Sequence, residues 1–160
     1  MAIIYPYIPE GKEVKYVSLR DPFMLEAKNY ACAHSLDRAQ PTGSIVVKDG
    51  KVIGRGANGS DHHQKFGCER KKRGIPTGQN YELCEGCHPK NHSEPRAIQD
   101  AQNSGYDTTN SDLYLWGHWW FCEPCWQAIT KGRIRQVYLL EGSERLFNRE
   151  SPENLLGKLC

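Results

Sequence analysis

The amino-acid sequence predicts an α/β fold in which helices are layered on a mixed central sheet. Segments with helical and strand character follow one another in the order helix, strand, strand, long loop, helix, strand, helix, strand. Strands that are separated by helices are typical of layered α/β domains. A length of 160 residues suits one moderate hydrophobic core. We therefore expect residues 1–160 to form a single domain.

The composition predicts a folded chain with a small core. The hydrophobic fraction is 38% and the mean hydropathy is −0.70, which is polar for a compact domain. Four Trp, eight Tyr and four Phe nevertheless argue against disorder, because aromatic side chains bury large areas. We expect the remaining residues to form long polar loops that are held by metal ions.

The charge pattern argues against a general nucleic-acid-binding protein, because the formal net charge is only +2. Basic residues do cluster between Lys65 and Arg73, either as a solvated loop or as a site for a phosphate or a polyanion. No stretch approaches the roughly 20 apolar residues of a membrane span. Neither nucleic acid nor a membrane is therefore an expected partner.

The seven cysteines favour metal sites over disulfides. The N-terminus from Met1 to Pro6 lacks the basic segment and long apolar run of a signal peptide, so we expect a cytoplasmic protein. In that reducing compartment, Cys-x-x-Cys spacings bind metals more often than they form disulfides. Cys32 is expected to be a small buried residue.

The first helix has clear boundaries. Asp21 is predicted to cap it, with Pro22 in the first helical position, and the helix should end before Pro41. His34 lies on its apolar face and is expected to be a core histidine.

A hairpin follows the first helix. Residues 44–47 and 51–54 should form its strands, because Asp49-Gly50 favours a two-residue turn. Residues 3–8, at the N-terminus, are expected to form an edge strand or an arm onto a partner subunit.

The second half of the chain contains two further helices. One is predicted from Ser93 toward Gly105, with Pro95 in the first turn, where no intrahelical donor is needed. The other runs from Cys122 to Gly132. The remaining predictions are a metal-pinned loop at 60–91, a strand at 113–116, a central strand at 134–140, a short helix at 143–147 and a final short helix or tail at 151–160.

Two motifs carry the chemistry, His92-Ser93-Glu94 and Cys122-Glu123-Pro124-Cys125. Each stands where a helix begins, so both should meet at the edge of the sheet, where helix N-termini favour thiolates. His92, Cys122 and Cys125 supply three zinc ligands and leave a fourth position open for water, which marks a catalytic site. Glu94 is the expected proton carrier.

The alternative is a closed structural zinc site. Two Cys-x-x-Cys pairs, Cys84 with Cys87 and Cys122 with Cys125, could together form a four-cysteine knuckle. That arrangement gives His92 no role.

With these motifs placed, the sequence resembles the cytidine/deoxycytidylate deaminase superfamily, and most closely its deoxycytidylate deaminase branch. The histidine, glutamate and paired cysteines match the pattern of zinc-dependent nucleobase deaminases. The resemblance covers about residues 21–142. Further segments that resemble the family are 41–47, 56–59, 67–70, 75–78, 81–86 and 97–98.

The resemblance implies a three-layer α/β/α cytidine-deaminase-like fold and a homo-oligomeric, zinc-dependent enzyme. It implies that His92, Cys122 and Cys125 bind the catalytic Zn²⁺, that Glu94 shuttles protons and that Asn58 binds the sugar. The implied reaction is hydrolysis of dCMP to dUMP and ammonia, with a zinc-bound hydroxide as nucleophile. The alternatives are a free nucleoside, a purine-like or pterin-like base, a base in RNA or DNA, or a non-catalytic zinc-binding module.

A second, structural zinc is also implied, because some members of this branch hold one in the preceding loop. The expected ligands are Cys68, Cys84, Cys87 and His88, with His62 or His63 as alternatives for the histidine.

The sequence departs from the family around the substrate site. Phe121 stands where the family usually has a proline, and Arg96 stands where an asparagine is common in this branch. Arg96 either holds the substrate phosphate or faces solvent. Trp119 and Trp120 either stack on a base or pack in the core or in a subunit contact. Ser93 is also expected in the substrate site.

Overall fold

The computed structural model describes residues 3–160, so that Met1 and Ala2 of the N-terminal segment considered above lie outside the described residues. Within this range, short 3₁₀ turns occur at Tyr81–Leu83 and Pro89–Asn91. The strands are β1 (Val14–Val17), β2 (Gly43–Lys48), β3 (Lys51–Ala57), β4 (Asp112–Trp116) and β5 (Gln136–Leu140). The helices are α1 (Pro22–His34), α2 (His62–Phe66), α3 (Glu69–Lys72), α4 (Ser93–Asn103), α5 (Glu123–Lys131) and α6 (Ser143–Phe147).

The five strands form one mixed sheet in the order β1-β5-β4-β2-β3. β5 is parallel to both β1 and β4, whereas β2 is antiparallel to both β4 and β3. The predicted mixed sheet is confirmed. The predicted central strand, β5, is an interior strand, but β4 occupies the middle of the sheet.

Helices cover both faces of the sheet, which confirms the three-layer α/β/α architecture. Neighbouring strand residues alternate between the two sides, so that Ile45 packs toward α1 and α6 while Val46 packs toward α4 and α5. The first core contains Met24, Ala27, Ala31, Tyr114, Trp116 and Phe147, and the second contains Ala97, Ala101, Leu113, Leu115, Ile129 and Val137.

The predicted local signals act as expected. Asp21 Oδ1 accepts hydrogen bonds from the backbone N–H groups of Phe23 and Met24 at 2.9 and 3.1 Å, which satisfies donors at the start of α1. At the β2–β3 turn, Asp49 and Gly50 adopt positive φ angles of 51° and 75°, as a tight hairpin turn requires.

The N-terminal segment does not form the predicted edge strand. Residues 3–13 contain no strand, and the edge strand is β1 further along the chain. The alternative, an arm onto a partner subunit, stays a prediction, and part of the segment packs on its own chain. The ring of Tyr5 stacks on Trp120 with centroids 4.1 Å apart, and Trp126 Nε1 donates to the carbonyl of Tyr7 at 2.9 Å.

Two predictions for α1 are wrong. His34 is exposed and lies against the ring of Tyr30, with centroids 4.2 Å apart, rather than in the core. Cys32 forms a disulfide with Cys160, which ties the C-terminal segment to α1.

The C-terminal segment is a tail, one of its two expected arrangements, because residues 148–160 form turns without a further helix. None of the helices in residues 3–160 has the length and apolarity that a membrane crossing requires.

Candidate active site

Three predicted metal ligands meet between the N-termini of α4 and α5. His92 immediately precedes α4, Cys122 immediately precedes α5, and Cys125 lies in the first turn of α5. His92 Nδ1 is 3.3 Å from the sulfur of Cys122 and 3.3 Å from that of Cys125, and the two sulfurs are 3.0 Å apart. The three ligand atoms can therefore bind one ion.

Close packing of α4 on the sheet places this centre. A Cβ atom on Gly56 of β3 would lie 2.3 Å from the carbonyl oxygen of Ser93 and 2.5 Å from the backbone nitrogen of Ala97. Only glycine allows the helix to approach the strand this closely. The first turn of α4, with Glu94, is thereby held against the sheet.

Glu94 is a buried carboxyl group beside the three ligands, with a side chain only 6% exposed. Ser93 Oγ donates to Glu94 Oε2 at 3.2 Å and lies 2.8 Å from Ser44 Oγ. Burial raises the pKa of Glu94 above its ordinary value, and the negative charge of Cys122 adds to this effect. A carboxyl group with a raised pKa is suited to carry protons near neutral pH.

The ligand set fits zinc. Two cysteines and one histidine are soft and borderline ligands that Zn²⁺ prefers. The hydrogen bond with Cys125 and the nearby His92 lower the pKa of Cys122 to about 5, which favours its thiolate form at neutral pH. Burial raises the pKa of Cys125, and a cation between the sulfurs would favour its deprotonation.

A second cluster lies in the segment between β3 and α4. Its ligand atoms, like those of the first, all lie within 4.8 Å of one another. His63 Nε2 is 3.3 Å from the sulfur of Cys84 and 3.5 Å from that of Cys87, and the sulfurs of Cys68 and Cys87 are 3.6 Å apart. One histidine and three cysteines form a closed structural zinc set.

One predicted ligand of the second cluster, His88, is wrong. His63 completes the cluster, as one of the two alternatives for His88. His88 instead begins a 3₁₀ turn, where its Nδ1 accepts a hydrogen bond from the backbone of Lys90 at 3.1 Å. The four-cysteine knuckle is also excluded, because Cys84 and Cys122 belong to different clusters.

The first cluster opens into a pocket of about 750 Å³, a size suited to a small-molecule ligand. Asn58 lines this pocket, at the end of β3. Its Oδ1 accepts from Ser35 Oγ and from the backbone of Thr42, and its Nδ2 donates to the carbonyl of Gln40. These bonds fix the orientation of Asn58 and leave one amide hydrogen for a ligand. Further lining residues are Gln40, Tyr81, His92, Glu94, His118 and Trp120.

Two residues predicted for the substrate site take other positions. Ser93 is fully buried beneath Glu94 and is not part of the pocket wall. The guanidinium group of Arg96 donates to the carbonyls of Ala57 and Gly59 and to Asn91 Oδ1, at 2.8–2.9 Å. Arg96 thus joins α4 to the end of β3 and neither points into the pocket nor faces solvent.

The two tryptophans differ in their roles. Trp120 lines the pocket and stacks on Tyr5, whereas Trp119 stacks on His118 with centroids 4.4 Å apart and is not part of the wall. His118 lines the pocket and was not identified from the sequence. Burial lowers the pKa of His118 to about 3, so its ring is neutral. No motif spacing in the sequence distinguishes this histidine.

The basic segment at 65–73 also contains a structural residue. Arg70 is buried, donates to the carbonyls of Pro76 and Gln79 at 2.7 and 2.9 Å, and donates to the sulfur of Cys87 at 3.3 Å. Its guanidinium carbon lies 4.5 Å from the centre of the Tyr81 ring. Arg70 therefore holds the loop around the second cluster.

The fold and the site define an α/β metal-dependent domain with a histidine–cysteine–cysteine centre and an adjacent buried glutamate. The chain belongs to the family described as the cytidine and deoxycytidylate deaminase zinc-binding region, which matches residues 18–141. Zn²⁺ is accordingly the metal of this domain. No curated protein sequence matches the chain.

Several solved structures are similar to this chain, and the two with a TM-score of 0.50 support the fold. The apo dCMP deaminase of the cyanophage S-TIM5 is 21% identical with a TM-score of 0.50, and the match covers 76% of this chain and 81% of that one. The same phage enzyme with dCMP and dUMP is 20% identical with a TM-score of 0.50, covering 79% and 85%. A guanine deaminase from Bacillus subtilis is 22% identical with a TM-score of 0.47, covering 73% and 60%.

Proposed function

We propose that this protein is a hydrolytic deaminase of a cytosine nucleotide, which converts dCMP to dUMP and releases ammonia. The observation that supports this most is the placement of Glu94 beside His92, Cys122 and Cys125 at the wall of the pocket. An open three-ligand zinc site with a neighbouring carboxyl group is the arrangement that nucleobase deamination requires.

The proposed mechanism assigns the proton transfers to Glu94. His92, Cys122 and Cys125 would hold the zinc ion, which would act as a Lewis acid and lower the pKa of a water molecule. Glu94 accepts a proton from the attacking water and donates it to the ring nitrogen N3 while the water oxygen bonds to C4. Glu94 then transfers the second water proton to the exocyclic amine. The C4–N bond breaks, ammonia leaves and a carbonyl group remains at C4.

Residues of the pocket wall orient the base and the sugar. The Trp120 ring is held by its stack on Tyr5 and offers an aromatic surface for a pyrimidine. His118 Nδ1 lies 3.0 Å from the carbonyl oxygen and 3.3 Å from the backbone nitrogen of Trp120, which leaves Nε2 for the base. The remaining amide hydrogen of Asn58 serves the sugar. Ser93, beneath the wall, positions Glu94.

The phosphate would be bound by cations at the rim of the pocket. Arg38, Lys71 and Arg149 line the pocket and have exposed side chains. They come from three separate segments of the chain, and so can surround an anion. Arg96, for which the sequence left a phosphate-binding role open, is already bonded to the end of β3.

Ammonia release from a panel of compounds tests this proposal. The panel contains dCMP, deoxycytidine, dCTP, CMP, guanine and a single-stranded oligonucleotide. We expect the highest kcat/KM for dCMP, and a charged hydrogen bond to phosphate predicts a preference of about 10–100-fold over deoxycytidine. Ammonia release from guanine or the oligonucleotide alone would contradict the proposed substrate. No release from any compound would contradict the proposed enzyme.

The phosphate site has its own test. Arg149→Ala should raise KM for dCMP by about tenfold, through loss of one charged hydrogen bond, and leave deoxycytidine kinetics unchanged. Arg20→Ala removes an exposed arginine that is not part of the pocket. This control variant should change neither the KM for dCMP nor the kinetics with deoxycytidine. Equal effects of Arg149→Ala on both substrates would mean that Arg149 does not bind the phosphate.

We further propose that the protein is a homo-oligomer, as the family resemblance implies. Light scattering after size-exclusion chromatography should give a multiple of the 18.2 kDa chain mass, and a monomer would contradict it.

A further inference from the structure

A hydrogen bond links the two clusters of metal-ligating residues. His92, a ligand of the first cluster, has its Nε2 3.2 Å from the carbonyl oxygen of Cys87, whose sulfur belongs to the second cluster. A carbonyl oxygen can only accept, so Nε2 is the donor. The backbone of Cys87, a residue of the second cluster, therefore contacts the imidazole ring of His92 in the first cluster.

This bond selects the useful form of the His92 ring. Nδ1 faces the sulfurs of Cys122 and Cys125 at 3.3 Å and must present a lone pair to bind a metal. The proton of the neutral ring is then on Nε2, where the Cys87 carbonyl accepts it. Carbonyl acceptors of this kind fix both the tautomer and the orientation of metal-binding histidines.

The second cluster is what holds the Cys87 carbonyl in place. Between β3 and α4 the chain forms only α2 and α3, of 5 and 4 residues, and two 3₁₀ turns of 3 residues. Helices this short are not stable by themselves. The sulfur of Cys87 lies within 3.6 Å of both His63 Nε2 and the sulfur of Cys68, so a shared metal ion would fix this residue.

The same segment surrounds His92 on other sides. The ring of Tyr81 lies edge-on to the His92 ring, with centroids 5.0 Å apart. The backbone nitrogen of His92 donates to the carbonyl of Pro89 at 3.0 Å. If this segment became loose, His92 would therefore lose several of its contacts at the same time.

We propose that the metal-loaded second cluster positions His92, so that occupancy of the second cluster strengthens zinc binding at the catalytic centre. The cluster acts through the Cys87 carbonyl and does not touch the substrate. Loss of the second metal should weaken the affinity of the catalytic centre for zinc by about 10–100-fold, the usual effect of losing such an acceptor. This inference goes beyond the proposed reaction, because it concerns metal affinity.

Zinc content and zinc affinity test the proposal with three variants. His63→Ala removes one ligand of the second cluster. His62→Ala is the matched control, since His62 is its neighbour on α2, packs on Phe66 and is not part of the cluster. His63→Cys restores a four-ligand set. Catalytic-site affinity is measured by competition with a chromophoric chelator, and folding by circular dichroism.

We expect His63→Ala to lose the second zinc ion and to retain one zinc ion at the catalytic centre. The affinity of that centre for zinc should be about 10–100-fold lower than in the unaltered protein. His62→Ala should retain two zinc ions and His63→Cys should recover the original affinity. If His63→Ala does not fold, Cys68→Ser takes its place, because serine retains the shape of the ligand. Unchanged affinity for the catalytic zinc in a folded variant that has lost the second ion overturns the proposal. This readout needs no substrate, so failure of the proposed reaction would leave it unaffected.

Discussion

Gly56→Ala tests whether the packing of α4 on β3 places the carboxyl group of Glu94, the proposed proton carrier. The added Cβ would lie 2.3 Å from the carbonyl oxygen of Ser93, whereas ordinary contacts begin at 3.4 Å. The first turn of α4 must then move outward by about 1 Å, which takes Glu94 with it. Overpacking of this kind costs about 1–3 kcal/mol of unfolding free energy. A misplacement of about 1 Å can reduce a reaction rate by about 100-fold.

Urea denaturation and the kinetics of dCMP deamination measure the two effects. We expect a loss of about 1–3 kcal/mol together with a fall in kcat of about 10–100-fold. Gly11→Ala is the control, because Gly11 has a φ of +78° and no neighbours within 4 Å of an added Cβ. The positive φ should lower the unfolding free energy of Gly11→Ala by about 1–2 kcal/mol. Its kcat for dCMP should equal that of the unaltered protein. An unchanged kcat in Gly56→Ala would refute the reasoning that this contact positions Glu94.

Two further predictions concern stability. Asp21→Ala removes the acceptor for two N–H groups of α1 and should lower the unfolding free energy by about 1 kcal/mol with kcat unchanged; no change in urea denaturation would contradict the capping role. Cys32→Ser opens a disulfide between residues 128 positions apart and should lower stability by about 2–4 kcal/mol in non-reducing buffer. In excess reductant the variant and the unaltered protein should unfold at the same urea concentration, and a persistent difference would mean that Cys32 stabilises α1 by packing.

Local sequence signals predicted most of the fold. Asp21-Pro22, Asp49-Gly50 and Pro95 each act within a few residues, so the sequence around them determines a cap, a turn and a helix start. The boundaries of α1, α4 and α5 follow from such signals. Pairing of β1 with β5 joins residues 14–17 to 137–140, and nothing near either strand specifies that partner.

The group of His92, Cys122 and Cys125 was predictable because its members stand at helix starts with recognisable spacing. The second cluster was only partly predictable. His63 and His88 are both close enough in sequence to the three cysteines, and the paths of short turns decide which histidine reaches them. Cys32 and Cys160 meet through folding of the C-terminal segment onto α1.

The residues that line the pocket were the least predictable. Arg96 has the charge expected of a phosphate ligand, but carbonyls at the end of β3 lie within its reach and bind it. His118 reaches the pocket because the aromatic segment before α5 bends, with His118 stacked on Trp119. These outcomes depend on three-dimensional packing, which the order of residues does not reveal directly.

Glu94→Gln tests the central claim most directly, because glutamine preserves the shape of the side chain and removes its ability to carry protons. The variant should retain its zinc and its stability, since the metal ligands are unchanged. Ammonia release from dCMP should fall by about 10²–10⁴-fold, the usual contribution of a general acid–base group. Full activity in a zinc-loaded Glu94→Gln protein would contradict the account.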